Sequence, residues 1–210
     1  MMTMTSQYHV MPYLQILPAD YDEKKSYPLV IFLCGSGECG DDLNLLTIHG
    51  WPRHAREGAD LPFILVAPQI PADHVWFGHI ESLNAWLDHV ISDLPVDQSR
   101  IYLTGLSNGG IGTWTWATNN PEKFAAIIPV CGEGIDTFAF RLNQMPIWAF
   151  HGDADGAVSC DASRRMVERV NAFGGNAKLT VYPGVGHDSW VPAYNEPDLI
   201  PWMLSHKKTK

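Results

Sequence analysis

The chain has 210 residues, room for one domain (1–210) with a proper core and hardly enough for two. Its hydrophobic fraction of 46% and charged fraction of 18% are ordinary for a globular protein. A formal net charge of -9 argues against nucleic acid or an anionic membrane surface as partner, because a duplex-binding face needs clustered Lys and Arg. The basic cluster Lys207, Lys208 and Lys210 reads instead as a frayed, solvated C-terminal tail. No apolar run approaches the ~18 residues needed to span a bilayer. Met1 to Val10 has neither a basic n-region nor an apolar h-region, which points to the cytoplasm.

Along the chain, strand and helix patterns alternate. Tyr13–Leu17 alternates apolar and polar residues, as a half-buried strand does. Leu29–Leu33 is a continuous apolar run suited to a strand buried on both faces, and Phe63–Ala67, Ile101–Thr104, Ala125–Val130, Ile147–Phe150 and Ala177–Tyr182 read the same way. Between them, Leu83, Trp86, Leu87, Val90, Ile91 and Leu94 recur at helical spacing in one apolar stripe. Ser107–Asn119 follows a strand and stops before Pro121, Ala162–Phe173 is closed by Gly174 and Gly175, and Pro197–Leu204 is a last short helix candidate. The order predicts an α/β protein: a mostly parallel sheet with helices on both faces. In such sheets chemistry collects at the carboxyl ends of the strands.

One of those ends carries Gly105-Leu106-Ser107-Asn108-Gly109-Gly110, a G-x-S-x-G directly after a strand and before a helix. A strand that turns sharply into a helix brings backbone against backbone, so Gly105 and Gly109 avoid Cβ clashes. Ser107 at the apex takes a strained conformation that exposes its hydroxyl, and the helix N-terminus beyond it favours a developing oxyanion. The pattern alone is weak; the strand–turn–helix context makes Ser107 a candidate nucleophile.

A serine hydroxyl attacks well only when a neighbour takes its proton, and histidine suits that task near neutral pH. In this architecture the order along the chain is Ser, then Asp or Glu, then His, which leaves His151, His187 and His206 of nine histidines. His187 lies in a Gly-rich loop past the last strand; His206 sits in the polar tail, and His151 follows its strand so closely that it reads as structural. The acid belongs in the loop after the preceding strand, His151–Val158, which offers Asp153 and Asp155. Asp153 is close enough to the strand end to serve as a turn residue, and Asp155 reaches further out, so Asp155 is favoured. Asp188 adjoins the base itself.

With these residues in hand, the chain resembles the small carboxylesterase and predicted-peptidase branch of the α/β-hydrolase superfamily, with its phospholipase/carboxylesterase-like, dienelactone-hydrolase-like and feruloyl-esterase-like members. The likeness rests on Pro12–Asp22, Pro28–Asp42, Gly105–Gly110, His151–Val158 and Gly186–Trp190. It implies a three-layer α/β-hydrolase fold, a triad of Ser107, His187 and Asp155, and an oxyanion hole. The hole's amides would come from about Ser36, in the loop Phe32–Asp42, and from Asn108. Such donors contribute about 3–4 kcal/mol each to lowering the barrier. Cys34 and Cys39 stand where the family usually has His and Arg. That His helps hold the loop and does no chemistry, so its absence bears on loop rigidity and substrate preference. The missing Arg argues against an anionic substrate.

The four cysteines, Cys34, Cys39, Cys131 and Cys160, show no zinc-ligand spacing. Cys34 and Cys131 read as buried free thiols, and a Cys34–Cys39 bridge has no positive support. Trp76 and Trp190, and less so Phe77, are candidates to line a substrate pocket. Trp114 and Trp116 read as packing residues. Cys131–Met145 is too short for a lid, so an open site for small esters is expected, working through an acyl-enzyme without metal or organic cofactor. The same triad would also suit a peptidase, an amidase or a feruloyl-type esterase, and a non-catalytic binding module on this scaffold is the non-enzyme alternative.

Overall fold

The computed structural model describes residues 2–5 and 11–208. Lys210 and most of the N-terminal stretch read for a signal lie outside them. Eight strands among these residues form one sheet: β1 (Met2–Thr5), β2 (Tyr13–Ile16), β3 (Tyr27–Leu33), β4 (Ile64–Pro68), β5 (Val96–Leu106), β6 (Ala126–Val130), β7 (Trp148–Gly152) and β8 (Lys178–Tyr182). Every residue of β3, β4, β6 and β7 is buried, which is why these strands read as unbroken apolar runs. The strand order is β1-β2-β4-β3-β5-β6-β7-β8. β1 and β2 are antiparallel and the rest of the ladder from β4 onward is parallel.

The longer helices cover the faces. α1 (Gly50–Arg56), α2 (Ile80–Asp93), α3 (Asn108–Asn119) and α4 (Cys160–Ala172) are followed by the short α5 (Trp190–Tyr194) and α6 (Leu199–Leu204). α2 buries Leu83, Trp86, Leu87 and Val90, four members of the stripe read from the sequence. Burying such a side chain contributes about 1.5–3 kcal/mol each. Ser159 caps α4 by accepting the Asp161 N–H, so this helix begins two residues before the expected Ala162. Gly174 closes it at φ 85°, a left-handed conformation that a Cβ would strain. Trp114 and Trp116 are fully buried, as expected of packing residues. The basic tail is less free than expected: the Lys208 N–H donates to Ser99 O and the Tyr102 hydroxyl to His206 O.

The topology places the site. From β3 the chain runs to β4 on one side, then crosses to β5 on the other. The loops leaving β3 and β5 therefore open side by side at the point where the winding reverses, the crevice where doubly wound sheets hold ligands. Leu33 pairs with Gly105, which puts the residues after β3 directly against the residues after β5. Between β6 and β7 the chain carries one 3-10 helix, Asp136–Leu142, and builds no cap. No helix among the described residues is long and apolar enough to cross a membrane.

Candidate active site

Ser107 sits at φ 55° and ψ -119°, a left-handed conformation for a residue with a side chain. The turn is held by close backbone contacts that only glycine permits. A Cβ on Gly109 would lie 1.9 Å from Leu33 O, and one on Gly105 2.5 Å from Gly109 O. Gly109→Ala is thus expected to lower stability by about 1–3 kcal/mol or more, because the obstacle is backbone; the midpoint of urea unfolding measures it. Below the turn, the Ser107 N–H points at Val130 O (3.0 Å) and at Cys131 Sγ (3.2 Å). Burial pushes the Cys131 thiol up to about 12, so it stays protonated.

The loops after β7 and β8 meet because those strands pair, Gly152 opposite Tyr182. The Ala154 N–H donates to Val185 O, and Asp153 Oδ1 accepts the Gly184 N–H at 2.6 Å. Asp153 thus holds the two loops together; its role is structural, as expected, but it bridges to the other loop and is not the local turn residue the sequence implied. His187 Nε2 lies 2.8 Å from Ser107 Oγ, and His187 Nδ1 lies 2.7 Å from Asp155 Oδ2. An ionised carboxylate only accepts, so Nδ1 carries the proton and Nε2 is left to accept the serine hydroxyl.

Asp155 has no exposed side-chain surface, whereas the His187 side chain is 28% exposed. Burial pushes the Asp155 carboxyl up. Hydrogen bonds from His187 and from the Val158 and Ala157 N–H groups outweigh it and hold the group below the usual carboxylate value. His151 adds a further contact that the sequence reading missed: its Nε2 is 3.1 Å from Asp155 Oδ2 and 2.9 Å from Val158 O. Both are acceptors, so Nε2 carries a proton. Its Nδ1 lies 2.8 Å from Ser163 Oγ. The ring does bond local backbone, and it also steadies Asp155. A four-residue spacing implies contact only on a helix, and His151 to Asp155 is a strand end and a loop, so the sequence carried no signal for this contact.

The loop after β3 opens with the 3-10 turn Ser36–Glu38. Ser36 N–H and Asn108 N–H each start a helical turn, and neither has an acceptor among the described residues. All four cysteines are free and buried. Cys34, in place of the family's His, is buried at the strand end; hydrogen bonding to Cys39 and burial push its thiol well up. The loop keeps its shape by other means: Cys39 Sγ donates to Gly35 O, and Gln69 Nε2 to the carbonyls of Glu38 and Asp42. Glu38 is itself 4% exposed, and burial pushes its carboxyl above the usual value, with the Gly35 N–H and His49 pulling the other way.

The aromatic residues divide differently from expectation. Trp76 has no exposed surface, so it is not a pocket wall; its indole N–H donates to Cys34 O at 2.8 Å. Buried indole N–H groups usually find a partner; those of Trp86, Trp114 and Trp190 have none among the described residues, whereas that of Trp76 is held by backbone. Phe77 is instead 62% exposed. Trp190 stands edge-on to the His187 ring at 5.4 Å between centroids and packs on His49 at 5.1 Å. It lines a cleft of about 220 Å³ with His49, Arg53 and Tyr194. Among the described residues no group of three or more His, Cys, Asp or Glu side chains is placed to hold a metal ion.

A serine reached through such a turn, on a sheet wound in this order, defines the α/β-hydrolase class. More narrowly, the chain belongs to the dienelactone hydrolase family, whose match runs over residues 78–196, more than half of it. That span contains Ser107, Asp155 and His187 and leaves the loop after β3 outside. The chain is 26% identical over 203 residues to an acyl-protein thioesterase 1 of Gibberella zeae, covering 76% of this chain and 83% of that protein. It is 28% identical over 156 residues to a putative carboxymethylenebutenolidase of Salmonella typhimurium, covering 66% of this chain and 54% of that one. The crystal structure of a thermostable esterase superposes with a TM-score of 0.82 at 30% identity, covering 99% of this chain and 63% of the esterase. The chain thus spans about half of the carboxymethylenebutenolidase and under two thirds of the esterase. Family and fold make it a hydrolase.

Proposed function

We propose that the protein is a serine carboxylic-ester hydrolase acting on small or short-chain esters, with Ser107 as nucleophile, His187 as general base and Asp155 as the orienting acid. The observation that carries this reading is the unbroken line Ser107 Oγ, His187, Asp155, with both contacts below 3 Å: 2.8 Å and 2.7 Å. Ser107 Oγ attacks the ester carbonyl while His187 Nε2 takes its proton. The carbonyl electron pair moves onto oxygen, facing the Ser36 and Asn108 N–H groups. Collapse expels the alkoxide, which receives the proton from His187, and leaves Ser107 acylated. Water activated by His187 then releases the acid. Each step balances without a metal or organic cofactor.

The absence of a cap between β6 and β7 supports small substrates. A binding module would have no use for a serine hydroxyl set on a histidine that a buried carboxylate orients. The test has two parts. A fluorophosphonate should label the protein once, with mass spectrometry placing the adduct on Ser107. p-Nitrophenyl butyrate should show a kcat/KM at least about tenfold above that of the decanoate. Labelling elsewhere refutes the nucleophile; faster decanoate turnover refutes the substrate class.

A further inference from the structure

A single peptide unit, the one joining Cys34 to Gly35, is gripped at both ends immediately before Ser36. Its carbonyl accepts the Trp76 indole N–H at 2.8 Å, and its N–H donates to Glu38 Oε2 at 2.7 Å. Both partners are buried, Trp76 completely and Glu38 to within 4%. Nothing in packing demands a carboxylate there; a buried carboxylate is costly unless it is hydrogen-bonded, and the Gly35 N–H is the bond it makes. Gly35 also presses on the nucleophile's strand, since a Cβ on it would lie 2.7 Å from Leu106 Cδ1.

Trp76 reaches the other half of the hole as well. Its backbone N–H points at Asn108 Oδ1 at 3.4 Å, and Asn108 Nδ2 donates to His74 O at 3.1 Å. One residue therefore contacts the peptide before Ser36 through its indole and the Asn108 side chain through its main chain. It also packs on the helix that follows the nucleophile, where a Cβ on Gly112 would lie 2.5 Å from Trp76 Cβ. The two oxyanion amides come from loops 72 residues apart in sequence and need a shared reference.

We propose that Trp76 and Glu38 are positioning residues of the oxyanion hole, fixing the Cys34–Gly35 peptide and keeping the Ser36 N–H in register with the Asn108 N–H. The proposal rests on the esterase reading. Neither side chain touches substrate; both act through backbone. The interaction they secure matters only once charge has developed on the carbonyl oxygen, so their loss lowers kcat and leaves KM in place.

The test compares Trp76→Phe, which keeps a ring and removes the indole donor, with wild type and with Ser107→Ala. Readouts are p-nitrophenyl butyrate kinetics and the inhibition constant of an alkyl trifluoromethyl ketone. The ketone adds to Ser107 Oγ as the hydroxyl proton passes to His187, and its carbonyl becomes an oxyanion. A misplacement near 1 Å costs up to about 100-fold, so Trp76→Phe should lower kcat by about 10- to 100-fold with KM within about twofold, and weaken the ketone by a similar factor. Should Trp76→Phe fail to fold by circular dichroism, Glu38 decides: Glu38→Gln keeps an oxygen acceptor and should recover most of the kcat that Glu38→Ala loses. Unchanged kcat in a folded Trp76→Phe, a change confined to KM, or an unchanged ketone constant overturns the proposal. So does equal activity of Glu38→Ala and wild type. Ser107→Ala activity within about tenfold of wild type would instead sink the assignment of Ser107 as nucleophile on which the proposal rests, in a variant that leaves the loop intact.

Discussion

Ser107→Ala should lower kcat for p-nitrophenyl butyrate by about 10⁶-fold, with KM changed little. The size follows from what the substitution removes. Without the hydroxyl there is no acyl-enzyme, and His187 Nε2 loses the 2.8 Å partner whose proton it takes. The Ser36 and Asn108 amides and the binding surface remain, so a rate about 10³–10⁴ above the uncatalysed one survives. Stability should hardly move, because the strain at φ 55° belongs to the backbone and alanine carries the same Cβ as serine. A stopped spectrophotometric assay on wild type and variant prepared side by side, with melting curves of both, measures the two quantities. A variant within tenfold of wild type would mean that another residue attacks.

Much of this arrangement could be read before any coordinates, for physical reasons. Strands buried on both faces leave continuous apolar runs, which revealed β3, β4, β6, β7 and the buried end of β5. Alternation revealed β2. β8 was also found, but it lies at the sheet edge with no buried residue, not covered on both faces as its apolar run implied. β1 was missed, since Met-Thr-Met-Thr is four residues at the sheet edge, paired on one side. α1 escaped because Gly50 and Pro52 open it and its seven residues carry too little apolar periodicity to register as a stripe. The neighbours Ser107, Asp155 and His187 were legible because strand order and loop position bring them to one edge. Trp76 was misjudged as a pocket wall for the converse reason: sequence places it on the right edge but does not say which way a side chain turns. It turns inward, with no exposed surface. Glu38 left a fainter mark, an acid set in a Gly- and Ser-rich turn beside an apolar strand.

The second large effect is expected at Asp155. Four donors converge on its two oxygens. His187 Nδ1–H and His151 Nε2–H meet Oδ2 at 2.7 and 3.1 Å, and the Ala157 and Val158 N–H groups meet Oδ1 at 2.8 and 2.9 Å. Asp155→Asn cannot satisfy them all. With its oxygen kept on the two backbone N–H groups, the amide nitrogen faces His187 and His151 and donates where both rings donate. His187 must then shift its proton to Nε2, the nitrogen that should receive the serine proton. A fall in kcat of about 10⁴-fold follows. Asp153→Asn should stay within about threefold of wild type, since an amide oxygen can still accept the Gly184 N–H. Stability separates the two further. Because folding depresses the Asp155 pKa, the carboxylate stabilises the native state above its unfolded-chain value, and that stability is lost as pH falls through the folded value. Urea midpoints taken from neutral pH downward should therefore converge for wild type and Asp155→Asn on the acid side and diverge toward neutrality. Parallel curves would mean that the four bonds do not bias ionisation, and a catalytic loss equal at Asp153 and Asp155 would remove the reason for assigning the orienting role to Asp155.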